Sequence, residues 1–151
     1  MKIEALWLSE QGTRTPDNRD HGGLATRPGE LLGIVVDGST AGKTSGDYAR
    51  AIVKMVIDWF EHSRDEWSVD LGTQALRDTH QALRGQFRKG SASVLLFHLT
   101  EKGTLTILHS GDCVIGELKS DIVWLSAPHT LRTRFSRCLL ERLRNPPCDT
   151  C

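Results

Sequence analysis

Hydrophobic and polar positions change period several times along this chain, and each change predicts an element. Lys2 to Ser9 alternates, with Ile3, Ala5 and Trp7 on one side and Leu6 and Leu8 on the other, which predicts a first strand buried on both faces. Glu10 to Glu30 is polar and rich in Gly, Pro, Asp, Asn and Arg, the composition of a long loop. Loops of that length in compact domains are usually functional or mobile. Leu32 to Val36 is a continuous apolar strand that ends at Asp37-Gly38. Ser45 then has the chemistry of an N-cap for a helix whose apolar stripe is Tyr48, Ile52, Val53, Val56, Ile57 and Phe60. A second helical period runs from Val69 to Phe87, where Leu76, Leu83 and Phe87 recur with Ala75 and Ala82 beside them.

From Ala92 the period shortens to two. Ala92 to Leu99, Leu105 to His109, Val114 to Leu118 and Ile122 to Leu125 predict an antiparallel meander, with turns at Glu101-Lys102-Gly103 and Gly111-Asp112. Leu131 to Leu143 predicts a last helix carrying Arg132, Arg134, Arg137 and Arg142, with Arg144 just beyond it and Asn145-Pro146-Pro147 as its stop. Strands and helices grouped in this way predict an α+β domain rather than a doubly wound parallel sheet.

Composition narrows the function classes. The 151 residues suit one domain with a substantial core. Nineteen basic side chains balance nineteen acidic ones, so nothing draws the chain to nucleic acid or an anionic membrane. No apolar run approaches the roughly 20 residues of a membrane span, and Met1-Lys2 leads into strand-like sequence rather than a signal peptide. The expectation is a cytoplasmic protein with neither nucleic acid nor membrane as partner. Cys138, Cys148 and Cys151 cluster near the end, but one C-x-x-C is only half of a zinc site, and reduced thiols without a role are the plainer reading. The six histidines lack ligand spacing, and the four tryptophans are expected in the core or at element ends.

Candidate chemistry concentrates in Leu31 to Thr44, LLGIVVDGSTAGKT, where two readings compete. A phosphate-cradling loop needs G-x-x-x-x-G-K-[ST], so that backbone amides wrap a phosphate and the lysine reaches onward. Gly38 and Gly42 have only three residues between them, one short, and shifting the frame puts Asp37 where the first glycine belongs. A metal anchor is the other reading: an aspartate at a strand end followed by glycine offers oxygen donors to a hard cation. Asp17 and Asp20, in the preceding polar segment, are the candidate second acids, although Asp and Asn in such loops also make Asx turns without any metal.

The order of motifs resembles the metal-dependent protein Ser/Thr phosphatases of the 2C (PPM) family. Asn18-Arg19-Asp20 resembles that family's N-E-D, Ile34 to Gly38 its apolar strand ending in D-G, and Gly46 with Ala49 the G-x-x-A of the next helix. Gly90-Ser91 resembles the start of a central strand, Leu108 to Cys113 the strand with G-D-S, and Ser126 to Leu131 the D-H-S/T-L segment. The resemblance implies a protein phosphatase 2C-like domain over residues 1–131, a sandwich of antiparallel sheets flanked by helices and incomplete at the C-terminus, followed by a basic, cysteine-containing tail over 132–151.

By the same resemblance the activity is hydrolysis of phosphoserine or phosphothreonine by a water that two Mn or Mg ions activate. Asp37 would bridge the metals, the Gly38 carbonyl would bind one, and Asp20 would orient metal-bound water. Arg14, one position out of the family's register, would grip phosphate, with Asp112 and Asn18 as supporting residues. The implied partner is a phosphoprotein substrate or a cognate kinase.

The departures are specific. Arg19 stands where the family has glutamate, Ser39-Thr40 replaces Gly-Gly, and Pro128 replaces the aspartate of D-H. The family's two late aspartates have no counterpart, since Glu141 and Asp149 are the only acids after His129. Two further readings therefore stand beside the enzyme: a catalytically inactive pseudophosphatase that binds a phosphoprotein, and a P-loop-like nucleotide binder.

Overall fold

Glycine and alanine, not large apolar residues, form the strand that fixes the site. In the computed structural model, which describes residues 4–128, that strand is β1 (Asp20–Arg27), followed by β2 (Glu30–Gly38), α1 (Ser45–His62), α2 (Val69–Leu83), β3 (Ala92–Thr100), β4 (Leu105–Ser110), β5 (Gly116–Leu118) and β6 (Ile122–Trp124). Strands β1 to β4 make one antiparallel sheet in chain order, and β5 pairs with β6 in a second, two-stranded sheet. The α+β expectation therefore holds.

Both helices lie on one face of the larger sheet, α1 across β1 and β2 and α2 against α1 and β4. The core between them is built from Leu32, Ile34, Val36 and Leu96 of the sheet and Tyr48, Ala49, Val56 and Phe60 of α1. The opposite face is apolar too: Leu31, Leu95 and Ile107 are buried there. Having both faces covered explains why β2 reads as a nearly unbroken apolar run instead of an alternating one.

The predicted strand over Lys2 to Ser9 is a correction. Its described part, from Glu4 on, is irregular, and Leu6, Trp7 and Leu8 are exposed. The Trp7 ring lies over Gly22 on the sheet face turned away from the helices. The long loop predicted over Glu10 to Glu30 contains β1 instead. Its sequence, DHGGLATR, looks loop-like because α1 crosses it closely: a Cβ on Gly23 would come within 2.8 Å of Val53 Cγ1 and 3.0 Å of Ile57 Cγ1. Local composition registered the glycines and missed the packing that requires them.

Smaller differences lie at element ends. Thr44 precedes α1 without a side-chain capping bond, and Ser45, read as the cap, is the first helical residue and is buried. Ser68 does cap α2, accepting from Leu71 N at 3.1 Å. That helix ends at Leu83 rather than Phe87. The predicted meander divides after β4, because among the described elements β5 and β6 pack only on each other, and Leu118, Ile122 and Trp124 are exposed. Trp124 stands at the end of β6, one of the expected places, whereas Trp7 lies outside both the core and the elements, contrary to expectation. The helix predicted over Leu131 to Leu143, the residues from His129 onward and Cys138, Cys148 and Cys151 lie outside the described residues.

Candidate acid site at the sheet end

Antiparallel register brings the two central acids together. Asp20, the first residue of β1, stands opposite Asp37, near the end of β2, and Asp37 stands opposite Ser93 on β3. The Ser93 hydroxyl donates to Asp112 Oδ1 at 2.6 Å, which ties the turn after β4 to the same sheet end. Three carboxyls from three parts of the chain thus converge. Burial pushes the Asp37 carboxyl above the ordinary range, a hydrogen bond with the Asp20 carboxyl raises it further, and the charges of Asp20 and Asp112 add to the rise. The neighbouring Cys113 thiol is pushed up to about 11, first by burial and then by the charge of Asp37.

Gly38 has no room for a side chain. A Cβ there would meet Ser45 O at 2.7 Å, and its N–H donates to Arg19 O at 3.1 Å. The turn beyond it is organised around a cation. Arg19 Nη1 donates to the carbonyls of Ser39 at 2.9 Å, Thr40 at 3.3 Å and Gly42 at 2.7 Å, while Nε donates to Asp17 Oδ1 at 3.0 Å.

A phosphate cradle needs amides turned inward. This loop turns three carbonyls inward onto a guanidinium, and Lys43 is exposed. The nucleotide-loop reading is thereby overturned.

Of the residues singled out from sequence, Asp20, Asp37, Gly38 and Asp112 come together. Asn18 stands beside them in an Asx turn: its Oδ1 accepts from Asp20 N at 3.0 Å, and its Nδ2 donates to Ser9 Oγ at 2.7 Å. Arg14 is exposed and makes no hydrogen bond or ion pair with any described residue. Sequence reasoning missed Ser93, which carries no motif and is recognisable only from its register opposite Asp37.

The donor set meets only part of what two ions would require. Facing carboxyls with a raised Asp37 are the kind of like-charged pair that a hard cation relieves, and oxygen donors suit Mg or Mn. Two ions need more. Among the described residues no group of three or more His, Cys, Asp and Glu side chains is arranged to hold a metal ion. The residues fit part of one ion's shell and do not fit a two-ion centre.

Comparison with known proteins shows the fold. No family model and no curated protein matches the sequence. Among solved structures, the chain is similar to a bacterial serine phosphatase bearing an R161E mutation (TM-score 0.74, 15% identity, covering 87% of this chain and 64% of that one). It is also similar to the serine/threonine phosphatase Stp1 from Staphylococcus aureus (TM-score 0.67, 16% identity, 85% and 55%). A third similar structure is the S. agalactiae serine/threonine phosphatase (TM-score 0.63, 17% identity, 82% and 55%). The chain therefore has the fold of protein phosphatase 2C-type Ser/Thr phosphatases, and it spans just over half to about two thirds of the length of these structures. Among the described residues no helix is long and apolar enough to cross a membrane.

Proposed function

We propose that this chain carries the acid half of a metal-dependent protein serine/threonine phosphatase, acting on phosphoserine or phosphothreonine. The observation that supports this reading is the pairing of Asp20 with Asp37 across β1 and β2, next to Gly38, within a phosphatase-type fold. Asp37 and Asp20, with the Gly38 carbonyl, would hold Mg or Mn. Such an ion supplies Lewis-acid polarisation of a phosphoryl oxygen and lowers the pKa of water. The chain's own residues have defined tasks: the Ser93 hydroxyl fixes Asp112 at the rim, and the Arg19 backbone carbonyl holds Gly38 in place. Arg14, exposed and without a partner among the described residues, is the side chain available to an incoming phosphate.

A second reading follows from Arg19. Where the resemblance expects an acid, the chain places a cation already engaged by four acceptors. That favours a pseudophosphatase, which would bind a phosphoprotein or kinase without turnover. Manganese-dependent release of phosphate from a phosphothreonine peptide, compared with Asp37→Asn and a metal-free control, separates the two readings. Turnover lost in the variant supports the enzyme. Phosphopeptide binding without turnover or metal dependence supports the binding module.

A further inference from the structure

A cleft of about 870 Å³ opens between α2 and β4, on the helix side of the sheet and at the end where Ala92 and Val94 flank Ser93, the strand partner of Asp37. Leu76, Val94 and Leu108 supply its apolar surface, and Gln74, Arg77 and His80 stand along its α2 wall. Most of these polar groups are already satisfied. His80 Nδ1 lies 2.7 Å from the Tyr48 hydroxyl, Gln74 donates to Asp78 at 2.7 Å, and the one lining acid, Asp70, has a partner of its own. Arg77 is exposed and has no hydrogen-bond or ionic partner among the described residues. The charge the wall leaves unanswered is positive.

The cleft also takes in the edge of the sheet. Its lining includes Leu108, His109 and Ser110 in succession. Successive strand residues point to opposite faces, so a space touching all three reaches round the strand's outer edge. Among the described residues β4 pairs only with β3. Thr100 N donates to Thr104 O at 3.0 Å at the hairpin, which makes 100 and 104 a bonded pair. Alternation along an antiparallel ladder then turns the backbone of Thr106 and Leu108 inward to β3, and that of Leu105 and Ile107 outward. Leu105 and Ile107 continue the β4 edge beyond the part that lines the cleft, and an outward row of N–H and C=O groups leading from an apolar floor is the arrangement that accepts an added strand.

We propose that the cleft between α2 and β4 binds an extended acidic peptide, which adds to β4 as a fifth strand and places a carboxylate on Arg77. Charge decides the sign of the ligand, because Arg77 is the unengaged charge on the wall. The free ladder decides its backbone, and the floor of Leu76, Val94 and Leu108 takes its apolar side chains. The proposal rests on α2, β4 and Val94 of β3, uses no residue of the acid site, and is independent of the phosphatase reading.

The test uses the full chain in metal-free buffer with a fluorescein-labelled peptide, Glu-Val-Thr-Val-Thr-Val-Glu, followed by fluorescence anisotropy. Saturable binding is expected, weakened by roughly tenfold or more on Arg77→Glu, as for loss of a charge-assisted contact. N-methylation of alternate peptide amides is expected to weaken it at least as much. Arg77→Gln carries the same expectation should charge reversal disturb the helix. Absence of saturable binding, equal binding of the N-methylated peptide, or binding indifferent to both Arg77 variants overturns the proposal. So does sedimentation showing a stable dimer whose β4 edge is already closed by a second copy.

Discussion

Arg19 and Gly42 are joined by a 2.7 Å hydrogen bond from the guanidinium Nη1 to the carbonyl oxygen, twenty-three residues apart in the chain. With the bonds to Ser39, Thr40 and Asp17, it makes the side chain the inner frame of the loop that follows Gly38. Its removal takes the donor from the carbonyls of Ser39 and Thr40 and leaves Gly42 O with Ser45 N alone. Arg19→Ala is expected to cost about 1.5–3 kcal/mol, the range for hydrogen bonds to a charged group. Arg19→Lys should recover little of this, because an ammonium cannot fork across several acceptors. Urea unfolding measures the loss, and amide exchange at Ala41 and Lys43 should accelerate in both variants. Lys43→Ala, outside the frame, should leave both readouts unchanged.

The same geometry gives the acid site a stability signature. Like charges held together for function destabilise the fold that holds them. Asp37→Asn removes the charge that faces Asp20 and Asp112, so the variant should melt higher than the parent chain in metal-free buffer. Added manganese should raise the parent's melting temperature and leave the variant's nearly unmoved. A variant that melts lower without metal would show that Asp37 serves packing rather than ligand binding.

How much of this was legible in the sequence depends on the physical signal each element carries. Helix α1 was readable residue by residue, since Tyr48, Ile52, Val56 and Phe60 bury one stripe of a regular period. Strand β1 was not, because its faces are closed by α1 above Gly23 and Trp7 beside Gly22, contacts that no local window contains. The segment Lys2 to Ser9 erred in the opposite direction: its alternation is real, but no described strand pairs with it. Asp20 and Asp37 were found through motif order, whereas their apposition needed the β1/β2 register. Arg19 was noticed as a departure, and its role could emerge only once the carbonyls of Ser39, Thr40 and Gly42 were seen to turn toward it.

A buried histidine makes the fold sensitive to mild acid. His98 is stacked on Trp67 with ring centroids 4.4 Å apart and 17° between planes. Its Nε2 lies 3.3 Å from Glu30 Oε2, outside hydrogen-bonding geometry, so the contact is electrostatic. Burial lowers the His98 pKa, Glu30 partly offsets this, and Arg27, paired with Glu30, adds to the lowering. The unfolded chain therefore takes up this proton first. Stability from the neutral ring is complete above the ordinary value of 6.5 and falls as pH drops from there toward the lowered folded value. The urea midpoint should decline between pH 7.5 and 5.5, and His98→Phe should flatten that decline. Glu30 acts in a separate, more acid window. Burial would raise its carboxyl, but Arg27 and His98 together outweigh that and hold it below the ordinary value, so its contribution is lost only as pH falls further.

The crossing of α1 over β1 gives the sharpest steric prediction, because the same substitution can be made where space is open and where it is closed. An added Cβ at Gly12 meets nothing within 4 Å, so Gly12→Ala should be neutral, or slightly stabilising through loss of freedom in the unfolded chain. At Gly23 the same methyl reaches Val53 Cγ1 at 2.8 Å and Ile57 Cγ1 at 3.0 Å. Both are side-chain atoms of β-branched residues with few alternative rotamers, so relief requires α1 to lift from the sheet. Gly23→Ala is expected to cost about 1 kcal/mol and Gly23→Val about 2–3 kcal/mol, the range for overpacking a filled core. Because β1 carries Asp20, lifting α1 should also disturb the acid pair. Gly23→Val should therefore weaken manganese stabilisation together with the fold, while Gly12→Ala leaves it intact. Thermal melts of both variants with and without manganese check this, and equal behaviour of the two would show that α1 does not hold β1 in register.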